Sequence, residues 1–198
     1  MLGKLLRSLS GRRTTPAAPA KAPVSPNGGP TSAPEPALSA PGLPFMIRPL
    51  EDTDLPALAG IFRRAISGLT DKDYSDQQRQ AWVANADEPS FLTSLQEGVT
   101  IVADNDGVPV AFAQLHPADY LRMLYVDPDW AGLGIPTLLY QYLEDEARII
   151  GSKTLSTHAS LTAVRFFSGM GFRDEGEESV SRQDADVTRH RMIKVLVR

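Results

Sequence analysis

The chain has 198 residues, 42% hydrophobic and 22% charged, with no cysteine and a formal charge of −4. That length predicts one domain with room for a tail, while the absence of cysteine excludes a disulfide scaffold, thiolate-bound zinc, an iron–sulfur cluster and a cysteine nucleophile, and fits a cytoplasmic setting. No apolar run reaches the roughly 18–20 residues of a spanning helix, so stable membrane insertion is not expected, and the acidic balance argues against a nucleic-acid partner.

Residues 1–44 hold nine of the sixteen prolines among Ala, Ser, Gly and Thr. Such a segment cannot bury enough apolar surface to offset the cost of ordering it, so it reads as a disordered tail. Lys4, Arg7, Arg12, Arg13 and Lys21 against Glu35 give it +4, which leaves −8 on residues 45–198. The opening MLGKLLRSLSGRR fits a weak membrane-surface or targeting helix, or a plain unstructured extension.

The domain, expected over 45–198, opens with a strand at 45–50. Glu51 to Asp54 supply capping side chains, and Leu58, Ile61, Phe62, Ala65 and Ile66 follow at helical spacing, with Gly68 ending the helix. A second helix starts after Ser75 and carries Gln78, Ala81 and Trp82, and 89–95 forms a short third. Strands are expected at 99–103, at 108–115 after the Asn105-Asp106-Gly107 turn, and at 120–126. A Leu-rich helix is expected at 137–149, a strand at 154–159, a helix at 161–170 stopped by Gly171, and strands near 178–182 and 187–197. This order predicts an α/β fold with a mixed sheet.

The most informative segment is LYVDPDWAGLGIPTLL. It reads as strand, Gly-containing turn and helix N-terminus, an arrangement whose unpaired amides suit a phosphate or pyrophosphate. Gly132 and Gly134 allow close approach of the backbone. It lacks the lysine of a nucleoside-triphosphate loop and is not a dinucleotide fingerprint.

The run YVDPDWAGLGIPTLLYQYLEDEA resembles the acyl-CoA pyrophosphate loop and following helix of the GNAT superfamily of N-acyltransferases. ASLTAVRFFSGMGF, residues 159–172, resembles that family's second element at the family's spacing. IRPLEDTDLPALAGIF and the hairpin IVADNDGVPVAFAQL are also similar to it. DYSDQQRQAW, SLTAVRFFSGMGF and the closing HRMIKVL resemble one bacterial branch. The resemblance covers about 46–198 and implies a GNAT-like, mostly antiparallel twisted sheet flanked by helices.

The same resemblance implies an enzyme that moves an acetyl group from acetyl-CoA directly to a primary amine of a small molecule or peptide, with no metal. The alternative is a non-catalytic acyl-CoA-binding or regulatory module. The backbone of Leu124, Tyr125 and Val126 would pair with the pantetheine arm. The amides of Gly132, Leu133, Gly134, Ile135 and Thr137 would hold the pyrophosphate, and Ser160 would touch the cofactor arm. The Leu124 N–H would polarise the thioester carbonyl.

Two departures concern the loop. Ala131 replaces a long polar residue, and Pro136 has no N–H to give. Phe167 stands where the family often has a proton-donating Tyr, so the acid must come from elsewhere. Tyr120, Arg122 and Leu124 share strand parity, which points them to one side of the sheet and makes Tyr120 the acid candidate. His116 and His158 are further proton-relay candidates. Tyr74 and Trp82 either wall the acceptor site or pack in the core. Asp127 and Asp129 are expected to face solvent. The chain is expected to act as a monomer or homodimer.

Overall fold

The computed structural model describes residues 45–196. The reading of 1–44 as a tail lies outside the described residues. The elements run β1 (Met46–Pro49), α1 (Leu55–Leu69), α2 (Asp76–Val83), α3 (Pro89–Leu95), β2 (Val99–Asn105), β3 (Val108–Leu115) and β4 (Tyr120–Val126). They continue with α4 (Ile135–Ile150), β5 (Thr154–Ser160), α5 (Leu161–Gly169), β6 (Arg173–Arg182) and β7 (Ala185–Val195). The strands form one sheet in the order β1-β2-β3-β4-β5-β7-β6. Every neighbouring pair is antiparallel except β4 with β5. The mixed, mostly antiparallel sheet flanked by helices is therefore the fold that forms.

Strand alternation divides the apolar residues between two faces. Ile101, Ala103, Ala111, Ala113 and Leu115 join Ile135, Leu139 and Leu143 of α4 and Phe167 of α5 in one core. Val102 and Phe112 point the other way, into a second core with Leu58, Ile61, Phe62 and Ile66 of α1 and Phe91 and Leu95 of α3. Removing these side chains from water is the main force holding the helices on the sheet.

Local chemistry fixes where the helices start. The Ser75 hydroxyl accepts from the Gln78 N–H at 3.3 Å, and the Gln78 side chain accepts from the Ser75 N–H at 2.9 Å. That reciprocal cap satisfies two otherwise orphaned donors. The start of α1 is held by Arg48 on β1. Its guanidinium spans Asp54 (2.6 and 2.9 Å) and Asp104 (2.7 and 3.1 Å), both buried. Asp104 also accepts from the Gly107 N–H at 2.7 Å, which ties the β2–β3 turn into the same cluster.

Two boundaries differ from the sequence reading. Helix α4 begins at Ile135, not Thr137, because Gly134 adopts the left-handed conformation as its N-cap and Pro136 fits the first turn. Strand β6 begins at Arg173, not near Glu178. Residues 173–177 carry no apolar alternation, but they pair with β7, Arg173 opposite Ile193, through a bulge between Asp174 and Gly176. Asp127 also departs from expectation. It is buried and accepts two hydrogen bonds from Arg64, at 2.8 and 2.5 Å, whereas Asp129 is exposed as expected.

Candidate active site

The site begins with one extra residue in β4. Leu115 faces Leu121, but Gln114 faces Met123, so two residues of β4 span one step of β3. The bulge sets Arg122 and Met123 on the same side, and both line a cavity with Tyr120 and Tyr125. Leu121 and Leu124 pack into the α4-side core instead. The expected parity thus holds for Tyr120 and Arg122 and fails for Leu124, because the inserted residue reverses the alternation between them.

The bulge coincides with a split in the sheet. β5 pairs with β4 only at Tyr120–Ser156 and Leu121–Thr157. The Asp127 N–H donates to the Val110 carbonyl at 2.9 Å, so the alternating backbone groups of Met123 and Tyr125 face β3. Those of Leu124 and Val126 face the gap left by β5. Of the three residues expected to offer backbone groups there, Tyr125 is turned away by its pairing with Phe112.

The strand leads through a single turn of 3-10 helix, Pro128–Trp130, into the glycine loop. Gly132 (φ 81°) and Gly134 (φ 78°) are both left-handed, and a Cβ added to either would meet nothing within 4 Å. The loop therefore borders open space, as a phosphate cradle must. Ile135 is fully buried and anchors the helix start beneath it. The Thr137 N–H, expected in the cradle, is directed to the Gly134 carbonyl at 3.1 Å. Among the described residues, the amides of Gly132, Leu133, Gly134 and Ile135 have no backbone acceptor.

On the α1–α3 side of the sheet lies a cavity of about 860 Å³. Its walls include Trp82 and Phe91 from the helices, Tyr120 and Tyr125 from β4, and His158 and Ser160 from β5. Both strands that flank the gap therefore open onto it. Tyr74 also lines it, with its hydroxyl already committed. It donates to the Thr188 carbonyl at 2.6 Å and accepts from the Leu161 N–H at 2.8 Å, pinning β7 to the start of α5. Ser160 caps α5, accepting from the Ala163 N–H at 3.2 Å. Burial pushes the hydroxyl of Tyr125 far above the ordinary tyrosine range, so it stays protonated.

A chain of polar contacts runs along one wall, hydrogen-bonded at its two ends and joined by a charge contact between His158 and Glu178. The Tyr120 hydroxyl lies 2.7 Å from His158 Nδ1, His158 Nε2 lies 3.3 Å from a Glu178 carboxylate oxygen, and Arg189 Nε donates to that oxygen at 2.5 Å. Burial, then the nearby Arg189 charge, lowers the His158 pKa despite Glu178, so the ring is neutral at neutral pH. A neutral ring with its proton on Nε2, the nitrogen nearer Glu178, presents the Nδ1 lone pair to Tyr120, whose hydroxyl is then the donor. Burial raises the Tyr120 pKa, which also keeps the phenol protonated. The Arg189 hydrogen bond holds Glu178 below the usual carboxylate range.

Phe167 is 4% exposed within the opposite core, packed edge-on against Phe166 and Phe172. His116 sits 3.7 Å from Glu97, away from the chain. The sequence reading missed Glu178 and Arg189. The signal was present, since folding 173–195 about Gln183 and Asp184 sets Glu178 directly opposite Arg189. Among the described residues, no group of three or more His, Cys, Asp or Glu could hold a metal ion, and no helix is long and apolar enough to cross a membrane.

The family model for the acetyltransferase (GNAT) domain matches residues 70–196, more than half of the chain. The chain belongs to the GNAT acetyltransferases. The uncharacterized N-acetyltransferase YafP of Escherichia coli K12 is 32% identical over 141 residues, covering 71% of this chain and 89% of that protein. A GCN5-related N-acetyltransferase structure from Rhodopseudomonas palustris matches with a TM-score of 0.73 and 35% identity, covering 76% of this chain and 94% of that one. YncA from Salmonella typhimurium, a putative acetyltransferase solved with its cofactor acetyl-CoA, shares the fold at 19% identity and a TM-score of 0.54, over 78% and 95% of the two chains. This GNAT chain is an acyltransferase.

Proposed function

We propose that this enzyme transfers the acetyl group of acetyl-CoA to a primary amine bound in the 860 Å³ cavity, with Tyr120 as the proton donor. The observation that carries the reading is the Tyr120–His158–Glu178 chain on the cavity wall beside the β4–β5 gap. Acetyl-CoA supplies the activated acyl group as a thioester.

The amides of Gly132, Leu133, Gly134 and Ile135 bind the pyrophosphate, and the backbone of Leu124 and Val126 orients the arm along the gap. Ser160 lies beside that arm. The Leu124 N–H faces the acyl oxygen and stabilises the negative charge that develops there when the C–N bond forms. Tyr120 gives its hydroxyl proton to the departing sulfur as the C–S bond breaks. The phenolate then recovers a proton from the acylated nitrogen, so the phenol is regenerated and the proton count closes. His158 is a positioning residue: in the resting site its Nδ1 holds the Tyr120 hydroxyl by accepting its hydrogen, and the O–H turns from Nδ1 to the sulfur as the C–S bond breaks. The aromatic walls keep water from the attacking amine.

The loop can be tested alone. Gly134→Glu forces a side chain into a left-handed backbone, at roughly 1–2 kcal/mol, and brings a carboxylate to the cradle. CoA affinity measured by calorimetry is expected to fall by more than about tenfold. Unchanged affinity would remove the loop from the site.

The positioning role predicts a pH signature. The lowered His158 pKa means the ring charges only below the ordinary histidine range, and a charged ring cannot accept from Tyr120. With an aromatic amine that stays neutral throughout, kcat is expected to hold near neutrality and fall as pH drops through that lowered pKa. His158→Asn cannot titrate and is expected to lose this acid limb. An acid limb identical in the two proteins would assign it to another group.

A further inference from the structure

We infer that the acceptor carries a carboxylate as well as its amine, and that Arg182 receives it. The inference rests on the reading that the cavity holds the acceptor. Three arginines line the cavity: Arg122, Arg182 and Arg189. Two are neutralised within the wall, Arg122 by Glu97 at 2.7 Å and Arg189 by Glu178 at 2.5 Å. Arg182 is half-buried, yet among the described residues no carboxylate lies within 4.0 Å of it. Its hydrogen bond goes to the neutral amide oxygen of Asn85 at 3.4 Å, which is long. Glu88 also lines the cavity, so among the described residues its wall carries Arg182 and Glu88 as charges with no ion-pair partner within 4.0 Å, in a domain whose formal charge is −8.

The position is built rather than loose. Glu178, Val180 and Arg182 alternate onto the less exposed side of β6, and Val180 and Arg182 line the cavity. The hairpin that carries them is held against α2, where Gln77 Nε2 donates to the Asp184 carbonyl at 3.0 Å and Gln78 Nε2 to the Asp186 carbonyl at 2.7 Å. A guanidinium held in place binds a carboxylate through two parallel hydrogen bonds and orients it. Four strand steps separate Glu178 from Arg182, about 13 Å between Cα atoms. Tyr120 at the reacting end and Arg182 at the charged end both line the cavity, whose walls also carry the apolar faces of Trp82, Phe91 and Tyr125. An amine joined to a carboxylate by a chain or ring of several carbons fits this wall.

The test uses matched pairs, aminocaproate with its carboxamide and para-aminomethylbenzoate with its carboxamide. The wild-type enzyme is expected to favour each carboxylate by about tenfold or more in kcat/KM, the scale of a charge-assisted pair. Arg182→Gln is expected to bring the ratio to about one, and Arg182→Glu to reverse it in favour of the carboxamide. A second readout needs no turnover: calorimetric binding of the N-acetylated carboxylate product should weaken about tenfold in Arg182→Gln while CoA affinity is kept. No preference in the wild type, or a preference that survives in Arg182→Gln, overturns the inference. Turnover of the carboxamides with no such preference would leave acetyl transfer standing and remove only the anchor. Arg182-dependent binding without turnover of any amine would do the reverse.

Discussion

Tyr120→Phe is expected to lower kcat by about 10²–10⁴-fold, the usual contribution of a positioned acid, with acetyl-CoA affinity within about twofold of wild type. The substitution keeps the ring and removes only the hydroxyl that lies 2.7 Å from His158 Nδ1. Phe167 cannot substitute, since it has no proton to give and is buried in the opposite core. Steady-state kinetics paired with calorimetry separate proton donation from binding. A kcat within about threefold of wild type, far below the effect of a lost acid, would make Tyr120 a packing residue.

Arg48→Ala is expected to cost about 3–5 kcal/mol of stability at neutral pH, because it strands two buried carboxylates. For a domain of this size that corresponds to a fall in Tm on the order of 10 °C. The effect reaches the site through α1, whose start Arg48 and Asp54 fix and whose Phe62 lines the cavity. Burial by itself raises the Asp54 pKa, but the Arg48 hydrogen bond, the Glu51 amide and the Arg48 charge outweigh it and hold the group below its ordinary value. A depressed carboxylate contributes stability that is present above its unfolded pKa and lost as pH falls through the folded one. In the variant only burial and the Glu51 amide remain, and acid relieves the stranded charge. The gap between wild type and variant is therefore expected to be widest at neutral pH and to narrow on acidification through the carboxylate range. A gap that stays constant with pH would mean that lost packing, not charge, causes the destabilisation.

What could be read in the sequence was local. The Gly132–Gly134 turn, the Asn105–Gly107 hairpin, the Ser75 cap and the apolar spacing of α1 each depend on residues a few positions apart, and each formed where expected. The β4 bulge did not announce itself. No glycine or proline marks it, and Arg122 becomes the extra residue only when β4 is laid against β3. That single insertion undid the parity that placed Leu124 beside Tyr120. The proton chain was out of reach for a related reason, since it joins residues 120, 158, 178 and 189 on four strands brought together by the order β4-β5-β7-β6. Tyr120 and His158 were each legible as candidates from side-chain chemistry, but their pairing belongs to the tertiary fold. Arg182 was silent for the opposite reason, because what distinguishes it is the missing carboxylate.

The central claim is acetyl transfer to an amine, and the most direct measurement follows free thiol from acetyl-CoA with a panel of amines while mass spectrometry identifies the product. Amine-dependent thiol release matched by equal N-acetylated product, and suppressed by Tyr120→Phe, is the predicted result. CoA binding by calorimetry with no amine-dependent thiol release across the panel would contradict it and leave a cofactor-binding module without transfer chemistry.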